Sequence, residues 1–417
     1  MRKWIRILLL MLCVWVVCAP LGAWVTHRAW IVGDDGWVRL LSNLTTILIL
    51  PGWVTAMVFH WVGIGEGRED LVSIVIANVF GWGYLVVGGV GVCVVIRSVI
   101  TKWKARSSAD DQDEVDSEPV DHGRRAFLAN STLGSVAAVS AAALGYATLV
   151  EPWGIKVREY AIPIDGLDER LDGLRIVQVS DTHLGPRIPE SFIVGAYARA
   201  LELNPDLIVL TGDHVHDGTK ENPRAAELCE PLVRGCPMGV IGVLGNHDWW
   251  GDGHQLSRML SGVGVRMIDN DRVWIDAKTR SVVDSDPGEG ALAFAGIGDL
   301  TDGVVDVDRA FRDLRDETVR IVLAHNPDTA EINALKLAGA HRVDLMVSGH
   351  THGGQVKIPF IGTPIVPSWY GQKYAGGLVQ GPAFRVVVSR GVGMSMLPVR
   401  VGVPPEIGVI TLVRSAD

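Results

Sequence analysis

Three long stretches near the amino terminus carry almost no charge, and the pattern of the chain changes after them. Ile5 to Val25, behind Arg2, Lys3 and Arg6, is apolar throughout, and similar stretches run from about Leu41 to Val62 and from about Leu71 to Ile96. A helix needs roughly 20 apolar residues to cross a bilayer, and none of the three shows the polar face of a half-buried helix. They predict about three transmembrane helices within residues 1–100. Residues 101–123 carry Lys102, Lys104 and Arg106 and then seven acidic residues from Asp110 to Asp121, with almost nothing to bury, which predicts a disordered linker. Arg124-Arg125-Ala126-Phe127-Leu128 then opens an Ala- and Ser-rich apolar segment ending at Val150, a weaker fourth span within 124–150. The paired arginines read either as an ordinary positive flank or as a twin-arginine-like export signal.

The cations from Arg97 to Arg125 place the linker on the cytoplasmic side, while Arg2, Lys3 and Arg6 draw the amino terminus there as well, which four spans do not allow. The larger cluster predicts a multi-pass protein of the cytoplasmic (inner) membrane, with the lipid bilayer as a partner and the domain at 156–417 on the extracytoplasmic face.

Beyond residue 155 short apolar runs alternate with helical periodicity. Strands are expected at Leu174–Val179, Asp206–Leu210, Gly239–Leu244, Leu292–Ile297, Ile321–Ala324 and Val343–Ser348. Helices are expected at Pro189–Leu203, Arg224–Val233, Val304–Asp316 and about Thr329–Ala338, and further strands around Leu378, Phe384–Ser389 and Ile407–Val413. Residues 252–290 show no clear period. Strand, polar tip, helix, strand, polar tip is the order of an α/β fold with its site along one sheet edge.

Composition adds three limits. Hydrophobic residues make up 48% of the 417 residues, an excess concentrated before residue 150. The net charge of −9 speaks against a nucleic-acid binder. Five cysteines are too few for a disulfide scaffold and none has zinc spacing; Cys229 and Cys236 read as a pair or as buried free thiols.

The chemistry sits on the polar tips. Five strand ends carry Asp181 and His183, Asp213, Asn246 and His247, His325, and His350 with His352 in Gly349-His350-Thr351-His352-Gly353-Gly354-Gln355. Any one of them could be a solvated turn. Together they form a set of oxygen and imidazole donors without sulfur, which suits manganese, iron or zinc. Seven donors exceed one tetrahedral site and match two ions sharing a carboxylate. By position, Asp181, His183 and His352 would hold one ion and Asn246, His325 and His350 the other, with Asp213 bridging. Mostly neutral ligands preserve the positive field that a phosphate needs. His247, next to a ligand, is free to stabilise developing charge or to protonate a leaving oxygen.

The blocks Asp181-Thr182-His183, Gly212-Asp213, Gly245-Asn246-His247-Asp248, His325 and Gly349-His350-Thr351-His352 resemble the calcineurin-like metallophosphoesterase superfamily, in order and in spacing, over about residues 172 to 415. The resemblance implies a four-layer α/β/β/α sandwich, here preceded by transmembrane helices. It also implies two divalent metal ions (manganese, iron or zinc, with manganese expected to serve in vitro) and a bridging hydroxide attacking phosphorus in line. Its ligands fall on the seven residues above, and its catalytic histidine falls on His247. Gly353-Gly354-Gln355, Tyr370 to Gly377, Ser389-Arg390-Gly391-Val392-Gly393 and Leu397-Pro398-Val399-Arg400 are similar to a membrane-associated branch. That branch holds twin-arginine-exported phosphoesterases and pyrophosphatases acting on UDP-diacylglucosamine.

The expected activity is therefore a phosphodiesterase or pyrophosphatase acting on a membrane-associated or lipid-linked phosphate ester. Its rivals are hydrolysis of a soluble phosphodiester or phosphomonoester at the cell envelope, a non-catalytic receptor domain that keeps the fold, and a polynucleotide phosphodiesterase. Arg390 and Arg400 read either as substrate contacts or as salt-bridged loop residues, and the Trp249-Trp250 pair as a substrate wall or as core. His214 and Asp217 are candidates for shaping the site, His216 reads as a solvated loop residue, and His254 and His341 as surface or helix-end histidines. Asp299 is expected to hydrogen-bond a ligand imidazole.

Overall fold

The computed structural model describes residues 145–332, 342–395 and 398–415, with a few single positions between 135 and 143. All but the earliest of these belong to one unit, Ala142–Asp417. Its strands are β1 (Lys156–Ile164), β2 (Arg175–Val179), β3 (Leu207–Thr211), β4 (Val240–Val243), β5 (Arg266–Met267), β6 (Asp271–Asp276), β7 (Ser281–Val283) and β8 (Leu292–Ile297). They continue with β9 (Val319–Ala324), β10 (Leu345–Ser348), β11 (Gly377–Gln380), β12 (Arg385–Val388) and β13 (Glu406–Arg414). The helices are α1 (Glu190–Glu202), α2 (Asn222–Gly235), α3 (Asn246–Trp250), α4 (Gly253–Gly262), α5 (Val307–Ala310) and α6 (Thr329–Ile332).

Two sheets form, in the orders β1-β13-β2-β3-β4-β5 and β11-β12-β10-β9-β8-β6-β7. Strand periodicity explains why they stack. On β2 and β3, Ile176, Leu207 and Val209 face the second sheet, while Val177, Val179, Ile208 and Leu210 face α1, α2 and α4. On β8 and β9, Leu292, Phe294, Ile321 and Leu323 close the inner layer, and Ala293, Ala295, Val322 and Ala324 pack outward against α5 and Phe311. Both faces of each central strand are buried, as the continuous apolar runs require. Truncating Phe294, fully buried between the sheets, would cost about 3–5 kcal/mol through the cavity left behind. An α/β sandwich with helices outside both sheets results.

The strands that carry the site lie within a residue or two of their expected positions, but other elements differ, among them β5, β6 and β7, which were not expected. β1 is an edge strand paired in parallel with β13, largely exposed and containing Pro163, so it lacks the apolar signal of a buried strand. α4 lies in the stretch that showed no clear period. The helix expected over Val304–Asp316 shrinks to α5, capped by Asp306 and followed by turns in which Asp313 takes a left-handed φ of 60°. The continuation of α6 past Ile332 lies outside the described residues.

The expectation of transmembrane helices ahead of the sandwich is corrected: among the described residues no helix is long and apolar enough to cross a membrane. The lipid bilayer as a partner, the multi-pass inner-membrane placement with an extracytoplasmic domain, and the membrane-associated, twin-arginine branch rested on those helices and fall with them. The apolar stretches before residue 100, the acidic linker and Arg124-Arg125 lie outside the described residues. Of the segment read as a fourth span, the described helical residues 145–149 end in a turn at Val150, directly before a one-turn helix, Glu151–Trp153, with Pro152 near its start.

Candidate metal centre

The parallel strands β2, β3 and β4, and β8, β9 and β10, deliver their carboxyl ends to one edge. There the two sheets are tied by buried polar groups. The Gln178 side-chain amide donates to Thr211 Oγ1 (2.9 Å) and to the Ser348 carbonyl (2.8 Å). The His350 N–H donates to Asp181 Oδ1 at 3.0 Å. Asp181, His183, Asp213, His350 and His352 all have φ between 48° and 73°, a region costly for residues other than glycine. Each loop thereby turns back over its strand end. The space is close: a Cβ at Gly212 would stand 2.6 Å from the Gly245 nitrogen and 2.7 Å from His325 Nδ1.

The donors meet in two groups. Asp181, His183, Asp213 and His352 each bring one ligand atom within 4.8 Å of the others, and so do Asp213, His325 and His350. Asp213 belongs to both: its Oδ2 lies 3.5 Å from His183 Nε2 and 3.3 Å from His325 Nε2. His183 Nε2 and His352 Nε2 are 2.9 Å apart, and His350 Nδ1 and His325 Nε2 3.2 Å. Asp181 Oδ2, His183 Nδ1, His352 Nδ1 and Asn246 Oδ1 are buried without a hydrogen-bond partner. Unpartnered oxygen and imidazole donors packed this tightly fit cations, and the residues here have the capacity for one or two divalent ions. His325 Nδ1–H donates to the Thr211 carbonyl at 2.7 Å, which leaves Nε2 as its ligand atom.

Charge is distributed unequally. Burial drives the His183 and His352 imidazoles well below the ordinary range and His350 to about 3, the neutral form that binds metal. Burial opposes ionisation of Asp213, but His325, His247 and His183 outweigh it and hold the carboxyl well below its ordinary value. His325 is raised well above its ordinary value, since Asp213 beside it overcomes burial. Asp181, buried and repelled by Asp213, rises to about 6.

His247 stands at this edge with both ring nitrogens accounted for. Its Nδ1–H donates to the His216 carbonyl at 2.6 Å, and Nε2 faces Ser395 Oγ at 3.3 Å. The Trp250 ring lies over it, centroids 3.7 Å apart. Asp248 shapes the loops behind: Oδ1 accepts from the N–H groups of His214 (2.8 Å) and Val215 (3.1 Å), and Oδ2 from Gly245 N–H (2.9 Å) and His214 Nδ1 (3.0 Å).

Other expectations separate here. Asp299 does not bond a ligand imidazole; its Oδ1 accepts from the Thr301 and Asp302 N–H groups and shapes its own loop. Arg390 pairs with Glu406 at 2.5 Å, and the buried Arg400 donates to the carbonyls of Arg390, Gly391, Gly393 and Val403, so both hold loops. Trp249 packs on the helical core, whereas Trp250 is half exposed at the site. Cys229 and Cys236 are free and buried. His254 is exposed and His341 lies outside the described residues. His216 is not a solvated loop residue: it is half-buried, and burial with the charge of His247 pushes its imidazole to about 4. Arg187 and Ser395 gave no sequence signal, because each becomes part of the site only through the neighbour it meets.

Comparison with known proteins assigns the class. Residues 174–354 match the model of the calcineurin-like phosphoesterase family. The chain is 34% identical over 293 residues, 69% of its own length and 97% of the relative's, to the uncharacterized metallophosphoesterase YkuE of Bacillus subtilis. It is 29% identical to the phosphodiesterase YaeI of Escherichia coli, over 70% of this chain and 99% of that one. It is also 29% identical to the UDP-2,3-diacylglucosamine pyrophosphatase LpxG of Chlamydia trachomatis, over 46% of this chain and 67% of that one. The chain belongs to the calcineurin-like phosphoesterase family. It is a metal-dependent phosphoesterase.

Proposed function

We propose that the chain hydrolyses a phosphodiester, using Asp181, His183 and His352 for one cation, Asn246, His325 and His350 for a second, and Asp213 between them. The observation that carries this is the membership of Asp213 in both donor groups, with its Oδ2 within 3.5 Å of an imidazole from each. Asn246, too, offers a buried, unpartnered Oδ1. Divalent cations of the manganese, iron or zinc class there would neutralise the phosphate oxygens and make water a stronger nucleophile.

His247 supplies the proton. Its Nδ1–H is held by the His216 carbonyl, so Nε2 is the atom that takes up a second proton from solvent and, from the imidazolium form, gives it to the leaving oxygen. Its backbone N–H donates to Asp213 Oδ1 at 2.9 Å, which fixes the proton donor relative to the shared carboxylate. Trp250 covers one face of the ring and excludes water from it.

A diester is preferred to a monoester because YaeI, matched over 99% of its length, is a phosphodiesterase by name. A pyrophosphate link is the second reading, supported by the named activity of the Chlamydia relative over a shorter match. Manganese-loaded chain should hydrolyse bis(p-nitrophenyl) phosphate faster than p-nitrophenyl phosphate. Faster monoester hydrolysis would exclude the diester reading. No hydrolysis of either, or of a dinucleoside pyrophosphate, with the metal fully loaded would remove the activity altogether.

A further inference from the structure

Arg187 lies on the tight turn that follows His183, where Gly185 and Ile188 pair across it, and is half-buried. Its Nη1–H donates to His216 Nε2 at 3.0 Å. Among the described residues it makes no ion pair. A guanidinium only donates, so His216 must accept through Nε2 and carry its ring proton on Nδ1. That Nδ1 is buried and has no hydrogen-bond partner. Two donors, one of them charged, therefore stand together with no carboxylate among the described residues hydrogen-bonded to either; Asp217 and Asp213 act on His216 through their charge alone.

Their position gives this meaning. His183, His216 and His247 each bring a ring nitrogen within 4.8 Å of the others, and the His216 ring lies 5.6 Å from that of His183 and 5.3 Å from that of His247. The backbone holds His216 firmly: its N–H donates to the Leu184 carbonyl at 3.0 Å, and a Cβ at Gly185 would meet the His216 Cβ at 2.9 Å. A half-buried cation beside a site for divalent cations is repelled unless an anion lies between them. A third cation is disfavoured at this cluster, because Arg187 occupies His216 Nε2 and the His216 carbonyl occupies His247 Nδ1.

We propose that Arg187 anchors the substrate phosphate by a charge-assisted hydrogen bond to one of its oxygens, on the His247 side of the metal centre, with His216 as its positioning residue. The proposal rests on the phosphoester reading of the same site and adds the residue that binds the anion from outside the metal ligands. Guanidinium–phosphate hydrogen bonds are among the stronger polar contacts, so the loss should be large in binding and small in turnover.

The test uses the full chain loaded with manganese and reads three quantities: kinetics on bis(p-nitrophenyl) phosphate, calorimetric binding of inorganic phosphate, and metal content. Arg187→Ala should raise KM about tenfold or more, weaken phosphate binding by a similar factor and leave kcat within about threefold, with metal content unchanged. His216→Ala should give a smaller change in the same direction, and His216→Gln, whose amide oxygen can still accept from Arg187, should recover most of it. Should Arg187→Ala not fold, Arg187→Gln reports the same loss of charge in a side chain of similar length. Unchanged KM and phosphate affinity would overturn the proposal. So would a lost equivalent of manganese in His216→Ala, which would make the cluster a cation site, or a fall in kcat at constant KM. Wild-type chain that binds phosphate through Arg187 and hydrolyses no ester would end the functional reading and leave the anchor standing.

Discussion

The backbone N–H of His247 donates to Asp213 Oδ1 at 2.9 Å, so the carboxylate shared by both donor groups also fixes the backbone of His247. Asp213 uses one oxygen for each purpose, since Oδ2 is the atom turned toward His183 and His325. A change at Asp213 is therefore felt in both donor groups and at His247 together.

His350 and His352 are two residues apart yet lie in different donor groups. His352→Gly and His350→Gly should each remove about one equivalent of manganese, and the remaining equivalent should differ in affinity between the two variants. Metal analysis after dialysis, with a competitive chelator titration, checks this. Identical loss of both ions in both variants would mean that the two sites do not bind separately.

His247→Ala should lower kcat by about 10²–10⁴-fold on a diester with an alkyl leaving group and far less on one with p-nitrophenolate, which departs without a proton. A series of leaving groups measures it as a steeper dependence of rate on leaving-group pKa. Equal losses across the series would assign His247 to charge stabilisation.

Asp269 provides a pH dependence away from the ions. Burial, with Asp248 adding to it, raises its carboxyl to about 7. Its folded value lies above the unfolded one, so the folded state binds the extra proton and stability is lost as pH rises from about 4 through 7. Asp269→Asn should be more stable than wild type at pH 8, by up to about 4 kcal/mol, with the gain vanishing near pH 4. Urea melts at the two pH values measure it. A gain independent of pH would show that Asp269 does not titrate in this window.

Arg400 is fully buried and donates to four backbone carbonyls around the loop that delivers the Val392 and Gly393 N–H groups to Ser180 and Asp181. Arg400→Ala leaves these carbonyls unsatisfied and should cost about 3–5 kcal/mol. Thermal denaturation of the metal-loaded chain checks it; a loss under 1 kcal/mol would mean that water replaces the guanidinium.

Much of the sandwich was legible in the chain because β2, β3, β4, β8, β9 and β10 are buried on both faces and therefore mostly apolar, with buried polar exceptions such as Gln178 and Arg320. Glycine or polar residues follow within two positions of each strand end, so the tips with Asp181, Asp213, Asn246, His325 and His350 could be read as one edge. β1 was not legible, since an edge strand with charged and proline residues follows no simple alternation. The histidine at 216 was misread for a different reason. Its burial depends on the turn carrying Arg187, 29 residues earlier, and no local pattern joins them. Asp299 shows the opposite failure, where a correct polar tip turned inward on its own loop.

The left-handed backbone at Asp181, His183, Asp213, His350 and His352 bears on how these residues should be replaced in the laboratory. An alanine at any of them deletes a donor and also leaves a Cβ in a conformation costing about 1–2 kcal/mol, now without the interaction that offset it. Glycine holds the same backbone freely, so a glycine series isolates the missing donor atom, and the difference between each glycine and alanine variant measures how firmly the centre imposes its own backbone.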